Sequence, residues 1–310
     1  MNVLRVVISV GALAFLFWKI GLGETLAVLR RAQVVYLVFA FALSLSSLVV
    51  RAFRWRLLLQ GLGLYVPFAR LVRLYFVGQF FSSFLPSQFG GDVVRAVELT
   101  QDTASSAAIG TVLLDRLTGL MVLFAMGLAV LPFQAAHMEP WLVWTLVGVA
   151  GGGLLSGMLM LEGRTLRWMT ARLPARLSLS GQGALARVYA AVTGCGWRAV
   201  LKAAGVSVFF NLLNVLINWL CSRAVGMRLG LGYFFVVTPL IAVGGLIPSI
   251  GGWGVRETVA TAVFSPAGES ANVAAALGVS MGAVGLLVGL LGGLLYALEG
   301  VRGLRARRTL

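Results

Sequence analysis

Charge is scarce in this sequence: Asp, Glu, Lys and Arg make up 11% of its 310 residues, against about a quarter in soluble domains. Histidine occurs once (His137), cysteine twice (Cys195 and Cys221) and proline eight times. Each shortage excludes something. So little charge, with 59% hydrophobic residues and a mean hydropathy of +0.95, excludes a cytosolic enzyme, a secreted disulfide scaffold and a disordered chain. Two cysteines and one histidine in no ligand spacing give neither a disulfide framework nor a zinc site, so no metal and no cofactor are expected. The strands of a transmembrane barrel alternate polar and apolar, whereas the apolar runs here are unbroken. What remains is an all-α polytopic membrane protein. Its 39 glycines suit membrane helices that pack closely, because small residues let backbones approach.

Acidic residues are scarcer still: ten face 25 basic ones, a net charge of +15. The basic residues sit in short segments between apolar runs. That is the pattern of membrane loops facing the cytoplasm and its anionic lipids, and not that of a nucleic-acid partner.

A helix crossing a ~30 Å hydrocarbon core needs about 20 mostly apolar residues. Six stretches qualify: 3–20, 33–50, 106–131, 140–161, 199–222 and 271–298. The first has no small-residue cleavage site and reads as a membrane helix, not a removed leader. Two further stretches, 67–101 and 231–264, are apolar but broken by Pro86-Ser87-Gln88-Phe89-Gly90-Gly91 and Pro248-Ser249-Ile250-Gly251-Gly252. Their second arms hold about a dozen residues, which rise about 18 Å, roughly half a bilayer. They are predicted to be re-entrant helical hairpins, tolerated at membrane depth where they line a wet cavity or are buried in protein.

Placing the N-terminus inside leaves 19 basic residues on the inner side and six on the outer. Both termini are therefore expected in the cytoplasm, with a bacterial cytoplasmic membrane as the location. Residues 162–198 are too polar to span. They are read as a basic connector on the inner surface, either an amphipathic helix broken near Ser178–Gly183 or a solvated loop. The tail from Arg302 reads as a basic anchor.

The two hairpins share a Pro-Ser, Gly-Gly, Val-Arg order, about 162 residues apart. Three spans lie between them, an odd number, so the second should enter from the opposite face. This predicts an inverted repeat, 33–131 and 199–298, as in many secondary transporters.

Each second arm is expected to start at its glycine pair, Gly90-Gly91 or Gly251-Gly252. Unpartnered N–H groups there would form an anion site, with Arg95 and Arg256 adding bidentate contacts to a phosphate. Against this, Arg95 has Asp92 and Glu98 nearby, and Arg256 precedes Glu257. Asp115 is read first as the partner of Arg95 and second as a carrier of a coupling proton, with Arg116 beside it. Asn211, Asn214 and Asn218 form one stripe that either lines a headgroup path or glues helices. Arg51, Arg54 and Arg56, with Trp55, read as an interfacial anchor.

Four motifs carry a family resemblance across most of the chain: Arg51-Ala-Phe-Arg-Trp55; Leu85-Pro86 with Gly90-Gly91-Asp92-Val-Val-Arg95; Asp115-Arg116-Leu-Thr-Gly119; and Pro248 with Gly251-Gly252-Trp253-Gly254-Val255-Arg256-Glu257. With them the sequence resembles the flippase-like, or lysylphosphatidylglycerol synthase transmembrane, family. Trp253 departs from the family pattern. The family includes the membrane half of bacterial multiple peptide resistance factors, which moves aminoacylated phosphatidylglycerol between leaflets, and proteins of hopanoid export and glycolipid pathways. The resemblance implies translocation of a phospholipid, glycolipid or polyisoprenoid lipid. In the resistance factors a soluble synthase domain follows; this sequence ends at Leu310, so synthase activity is not expected. The expected partners are the lipid substrate, anionic lipid at the inner surface, and either a second copy or a lipid-biosynthesis enzyme.

Two other readings compete. A lipid phosphatase of the common type needs catalytic histidines, and His137 lies in an outer loop, so no enzymatic activity is expected. A non-transporting accessory could instead hold a lipid enzyme or glycosyltransferase, docked on 162–198.

Overall fold

The computed structural model describes residues 22–85, 89–172, 178–179, 181 and 183–308. The predicted span 3–20 and Pro86-Ser87-Gln88 of the first break lie outside them, as do parts of the Ser178–Gly183 break. All regular structure among the described residues is helical. After the short α1 (Leu22–Arg30) come α2 (Val34–Gly61), α3 (Phe68–Phe84), α4 (Gly90–Leu99), α5 (Ser105–Gln134), α6 (Pro140–Glu162), α7 (Arg164–Thr170) and α8 (Ala184–Gly194). They are followed by α9 (Trp197–Ala224), α10 (Leu231–Gly244), α11 (Val255–Phe264) and α12 (Ala271–Arg308). Five of these, α2, α5, α6, α9 and α12, are long and apolar enough to cross a membrane. They cover the five predicted spans that fall within the described residues.

The Pro and Gly breaks act where the sequence places them. α3 ends at Leu85, whose backbone is extended (ψ 149°), because a residue before proline is pushed out of the helical region. α4 resumes at Gly90. The second break is longer than expected: Gly251, Gly252 and Gly254 all take positive φ (59°, 80° and 82°), a turn that residues with a Cβ resist. Consequently α11 starts at Val255 and not at the glycine pair. Both α4 and α11 have ten residues, about 15 Å of helix and half a hydrocarbon core.

The halves of the chain are matched in their contacts. α2 and α9 lie antiparallel along their length: Gln33 at the start of α2 donates its N–H to Ala224 O at 2.8 Å, and Gly61 at its end packs on Cys195 and Ala199. α5 packs on α4 and on α10; α12, its counterpart, packs on α11 and on α3. Glycines make the second set possible. A Cβ on Gly278 would fall 2.8 Å from Glu257 Cα, one on Gly289 2.7 Å from Ser83 Oγ, and one on Gly292 1.9 Å from Phe76 O. α12 thus touches first one broken pair and then the other. The second break also packs on the last turn of α3, since a Cβ on Gly251 would lie 2.5 Å from Ser83 O.

Outward faces of α2, α6 and α12 carry exposed Val34, Phe39, Trp144, Leu155, Leu287 and Leu294, the surface expected of helices solvated by lipid. The 162–198 connector is helical in two pieces. α6 stops at Gly163, left-handed at φ 78°, and α7 follows at once. α8 buries Ala186, Tyr189 and Val192 and packs on α5, where a Cβ on Gly110 would meet Ala191 Cβ at 2.7 Å. Its apolar face is therefore taken up by protein.

Candidate functional site

A cavity of about 340 Å³ lies between the two broken pairs, bounded by α2, α3, α4, α5, α9, α10, α11 and α12. Five arginines line it, Arg51, Arg54, Arg95, Arg116 and Arg256, with two carboxylates, Asp92 and Asp115. Of the predicted site residues, Asp92, Arg95, Asp115, Arg116, Asn211, Asn214, Asn218, Gly251 and Arg256 come together here. Gly90, Gly91, Gly252 and Glu257 do not line it. Gly91 is a packing residue, because a Cβ there would sit 2.0 Å from Gly78 O on α3, and one on Gly90 would strike Leu85.

Asp115 is the hub. It is 1% exposed, and a buried carboxylate needs its lone pairs filled. Arg54 Nε donates to Oδ1 at 2.7 Å, while Oδ2 accepts the Tyr75 hydroxyl and Arg95 Nη2 at 3.4 Å. Arg95 is thus a partner of Asp115, as expected, but the closer one is Arg54. Arg54 is itself 2% exposed and also donates from Nη1 to Ser207 Oγ at 3.2 Å. Its expected role as an interfacial anchor is overturned: α2 runs three turns past Arg51, to Gly61, and carries the arginine into the interior. Gly119 makes the space, since a Cβ there would lie 2.5 Å from Arg54 Nη1.

Asp92 joins α4 to α5. Its Oδ1 lies 3.0 Å from Arg95 Nη2, and its Oδ2 accepts Arg116 Nη1. Glu98, the other acid near Arg95 in sequence, pairs instead with Arg70 at 3.5 Å. Aromatic rings cover the guanidinium faces. Arg95 stacks 4.0 Å from the Tyr75 centroid and 4.8 Å from that of Trp55, and Arg51 lies 4.9 Å from Tyr75. Such contacts are strongest where water is excluded.

The second break handles its charges differently. Glu257 does not pair with Arg256. Its Oε2 accepts the Gly254 N–H at 2.7 Å, the back-bond of an N3 glutamate to the N-cap at the start of α11. The N–H that opens α11 is therefore already taken by this protein's own carboxylate, and the helix does not begin at the glycine pair as expected. Arg256 Nη2 donates to Gly251 O at 2.9 Å. Trp253, the departure from the family pattern, lines the cavity beside Arg256 and fits only because position 282 is glycine.

The asparagine stripe bridges helices and also lines the cavity. Asn211 Nδ2 donates to Gly119 O at 3.0 Å and Asn218 Nδ2 to Thr238 Oγ1 at 3.3 Å, while both, with Asn214, line the cavity. Sequence reasoning missed Arg54 and Tyr75 in the charged cluster, and Gln79, which lines the wall from α3 and reaches Gly285 O at 3.5 Å. Among the described residues no group of His, Cys, Asp and Glu could hold a metal ion.

On the cavity-lining arginines, four buried guanidinium N–H positions have no acceptor among the described residues: Arg51 Nε, Arg95 Nε, Arg95 Nη1 and Arg256 Nη1. They come from α2, α4 and α11, on residues that line one cavity.

Long apolar helices around a buried, arginine-lined polar centre define a polytopic membrane protein with an anion-attracting interior. The chain belongs to the family described as the lysylphosphatidylglycerol synthase TM region, which it matches over residues 2–293. It is similar to the UPF0104 membrane protein PH1989 of Pyrococcus horikoshii, 25% identical over 118 residues, covering 37% of this chain and 35% of that protein. A UPF0104 membrane protein of Methanothermobacter thermautotrophicus is 33% identical over 114 residues, covering 36% of this chain and 34% of its own. The matched segments span about a third of each relative.

Proposed function

We propose that the protein carries a lipid between the leaflets of a bacterial cytoplasmic membrane, the headgroup passing through the arginine-lined cavity while the tails stay in hydrocarbon. The observation that carries this reading is the set of four buried N–H positions without an acceptor. A buried donor left unpaired costs about 1–3 kcal/mol, more on a charged group. A purely structural ion-pair network would have no reason to keep several. The substrate class is a phospholipid, glycolipid or polyisoprenoid or hopanoid-type lipid. The activity is transport and not catalysis.

The re-entrant, inverted arrangement belongs to the same proposal. It is supported by the antiparallel α2 and α9, by the three long apolar helices between the two broken pairs, and by the meeting of Gly251 with Ser83. Rocking of one half against the other would open the cavity to each leaflet in turn. The balance of basic residues shifts with the cavity. Arg51, Arg54, Arg95 and Arg116 leave the inner count and Arg256 the outer, because they line the cavity. The balance becomes 19 − 4 = 15 against 6 − 1 = 5, which still favours cytoplasmic termini.

The test is reconstitution in phosphatidylcholine vesicles containing tail-labelled phosphatidic acid or phosphatidylglycerol, with an impermeant quencher outside. The wild-type protein should expose inner-leaflet label to the quencher, and Arg256→Gln should slow this strongly while still reaching the vesicles folded. A wild-type protein that leaves every label in its leaflet would make it an accessory of a lipid enzyme, and turnover of the label would make it an enzyme.

A further inference from the structure

The charge inventory of the cavity narrows the headgroup, on the basis of the transport reading. Five arginines stand against two carboxylates, a surplus of 5 − 2 = 3 positive charges. Neither carboxylate is free to receive a cation. Asp115 is filled by Arg54, Tyr75 and Arg95, and Asp92 by Arg95 and Arg116. Glu257 is turned onto the Gly254 N–H and does not line the cavity. An ammonium group entering here would meet guanidinium groups and no available anion. A phosphate diester would offset one charge of the three and bring two non-bridging oxygens. A terminal phosphate brings three oxygens and a charge near −2, closer to the surplus of three.

We infer that the cavity takes a lipid bearing a multiply charged terminal phosphate, as a monoester or diphosphate, and rejects headgroups that carry an ammonium, aminoacylated ones included. The arginines that make up the surplus come from four separate elements, α2, α4, α5 and α11. Charge-assisted, forked contacts of this kind discriminate by geometry as well as charge. The remaining polar lining is neutral amide and hydroxyl, from Gln79, Ser82, Ser83, Asn211, Asn214 and Asn218.

The experiment is thermal unfolding of the purified full-length protein in detergent with dihexanoyl phosphatidic acid, phosphatidylglycerol, phosphatidylcholine or lysylphosphatidylglycerol, and with inorganic phosphate and pyrophosphate alone. Phosphatidic acid should bind at least about tenfold tighter than phosphatidylglycerol, the worth of one further charge-assisted hydrogen bond. Phosphatidylcholine and lysylphosphatidylglycerol should give no shift. The phosphatidic acid response should weaken from pH 7.5 to 5 as the monoester, with a second pKa of about 6, loses a charge. The ionisable groups around the cavity are Arg51, Arg54, Tyr75, Asp92, Arg95, Asp115, Arg116 and Arg256, with Glu257 and Cys221 beside Arg256; the pH response should persist in Glu257→Gln, and its loss there would assign it to the protein and not to the phosphate. Arg256→Gln should cut the preference below about threefold, the change expected when one forked contact to a charged group is lost, without lowering ligand-free stability. Equal or tighter binding of lysylphosphatidylglycerol, of phosphatidylglycerol or of phosphatidylcholine, or no shift with any ligand, would overturn the inference, as would an unchanged preference in Arg256→Gln. Free phosphate or pyrophosphate matching phosphatidic acid would keep the phosphate and overturn the lipid. If the ranking holds but vesicles show no lipid movement, the transport reading falls and the headgroup assignment stands.

Discussion

The two broken helix pairs share a sequence order yet hold their arginines by opposite means. Arg95, in the first, is 2% exposed and is embedded in a charge network with Asp92 and Asp115, closed by Arg54 from α2 and Arg116 from α5. Arg256, in the second, leans on a backbone carbonyl in its own turn, and the neighbouring Glu257 caps its own helix. The first solution is long-range and charged; the second is local and built on glycine. At membrane depth an ionisable side chain costs at least about 2.5–3.5 kcal/mol unless something compensates it. Two broken pairs with one sequence order thus meet that cost with different residues. The difference also makes the cavity asymmetric, with one wall of paired charges and the other holding a single arginine beside Trp253.

The strongest way to break this comparison is Asp115→Asn. Arg54 would keep its burial and lose the carboxylate at 2.7 Å, and Arg95 would lose one of its two. Removing one member of a buried charged pair typically costs about 3–5 kcal/mol. The expected outcome is loss of folded protein, read as collapse of the thermal transition in detergent. A variant as stable as wild type would show that the first pair does not depend on its ion network.

Next in size is a comparison of the seams within each pair. The arms of the first meet through Gly91, where a methyl would lie 2.0 Å from Gly78 O, a backbone atom that cannot step aside. Those of the second meet through Gly244, where the nearest atom is Val259 Cγ2 at 2.7 Å, a side chain that can turn. Gly91→Ala should cost about 1–3 kcal/mol, the usual penalty for overpacking, and Gly244→Ala clearly less. Equal losses in thermal unfolding would remove this distinction.

What the sequence could disclose follows from how local each cause is. The two breaks, the five long helices and the arginines at 95 and 256 were legible because Pro, Gly pairs and apolar runs act within a few residues. The charged cluster was half legible. Asp92 and Arg95 are three apart on one helix, but Arg54 and Asp115 are 61 positions apart, and nothing local links them. A usable signal did exist: Leu57-Leu58-Leu59 continue the apolar pattern past Arg56, so the arginines lie inside the helix and not at its end. The start of α11 was misplaced because the glycine pair reads as a helix start, whereas a third glycine, Gly254, prolongs the turn and Glu257 sets the cap. The glycine stripe of α12 gave only general notice of close packing; which partners it would meet depends on the whole fold.

Whether the two pairs enter from opposite faces is open to a gentler test. Native thiols will not serve, because Cys195 and Cys221 are 3% and 0% exposed and burial pushes the Cys195 thiol up to about 11. Thiolate is the reactive form, so neither should label in folded protein near neutral pH. Tyr65, 82% exposed in the loop before α3, and Arg228, exposed in the loop before α10, are better positions. Tyr65→Cys should react with an impermeant maleimide only from the cytoplasmic side and Arg228→Cys only from outside, with little change in stability. Labelling of both from one compartment would overturn the inverted arrangement.

The smallest expected effect is the sharpest check on the contrast between the pairs. Glu257→Gln makes the same acid-to-amide change as Asp115→Asn, also at a buried site. Glu257 uses one oxygen, Oε2, for the Gly254 N–H, and its other oxygen has no partner. A glutamine keeps that acceptor, and glutamine serves as well as glutamate in a capping box. Arg256 makes no salt bridge with it and keeps its own bond to Gly251 O, so the loss of charge is felt only at longer range. Stability should therefore change by less than about 1 kcal/mol, whereas Glu257→Ala, which removes the cap, should cost about 0.5–2 kcal/mol. Lipid movement in vesicles should persist in Glu257→Gln. If that variant instead failed as Asp115→Asn is expected to, the carboxylate charge would be what the second pair requires, and both pairs would rest on ion pairing after all.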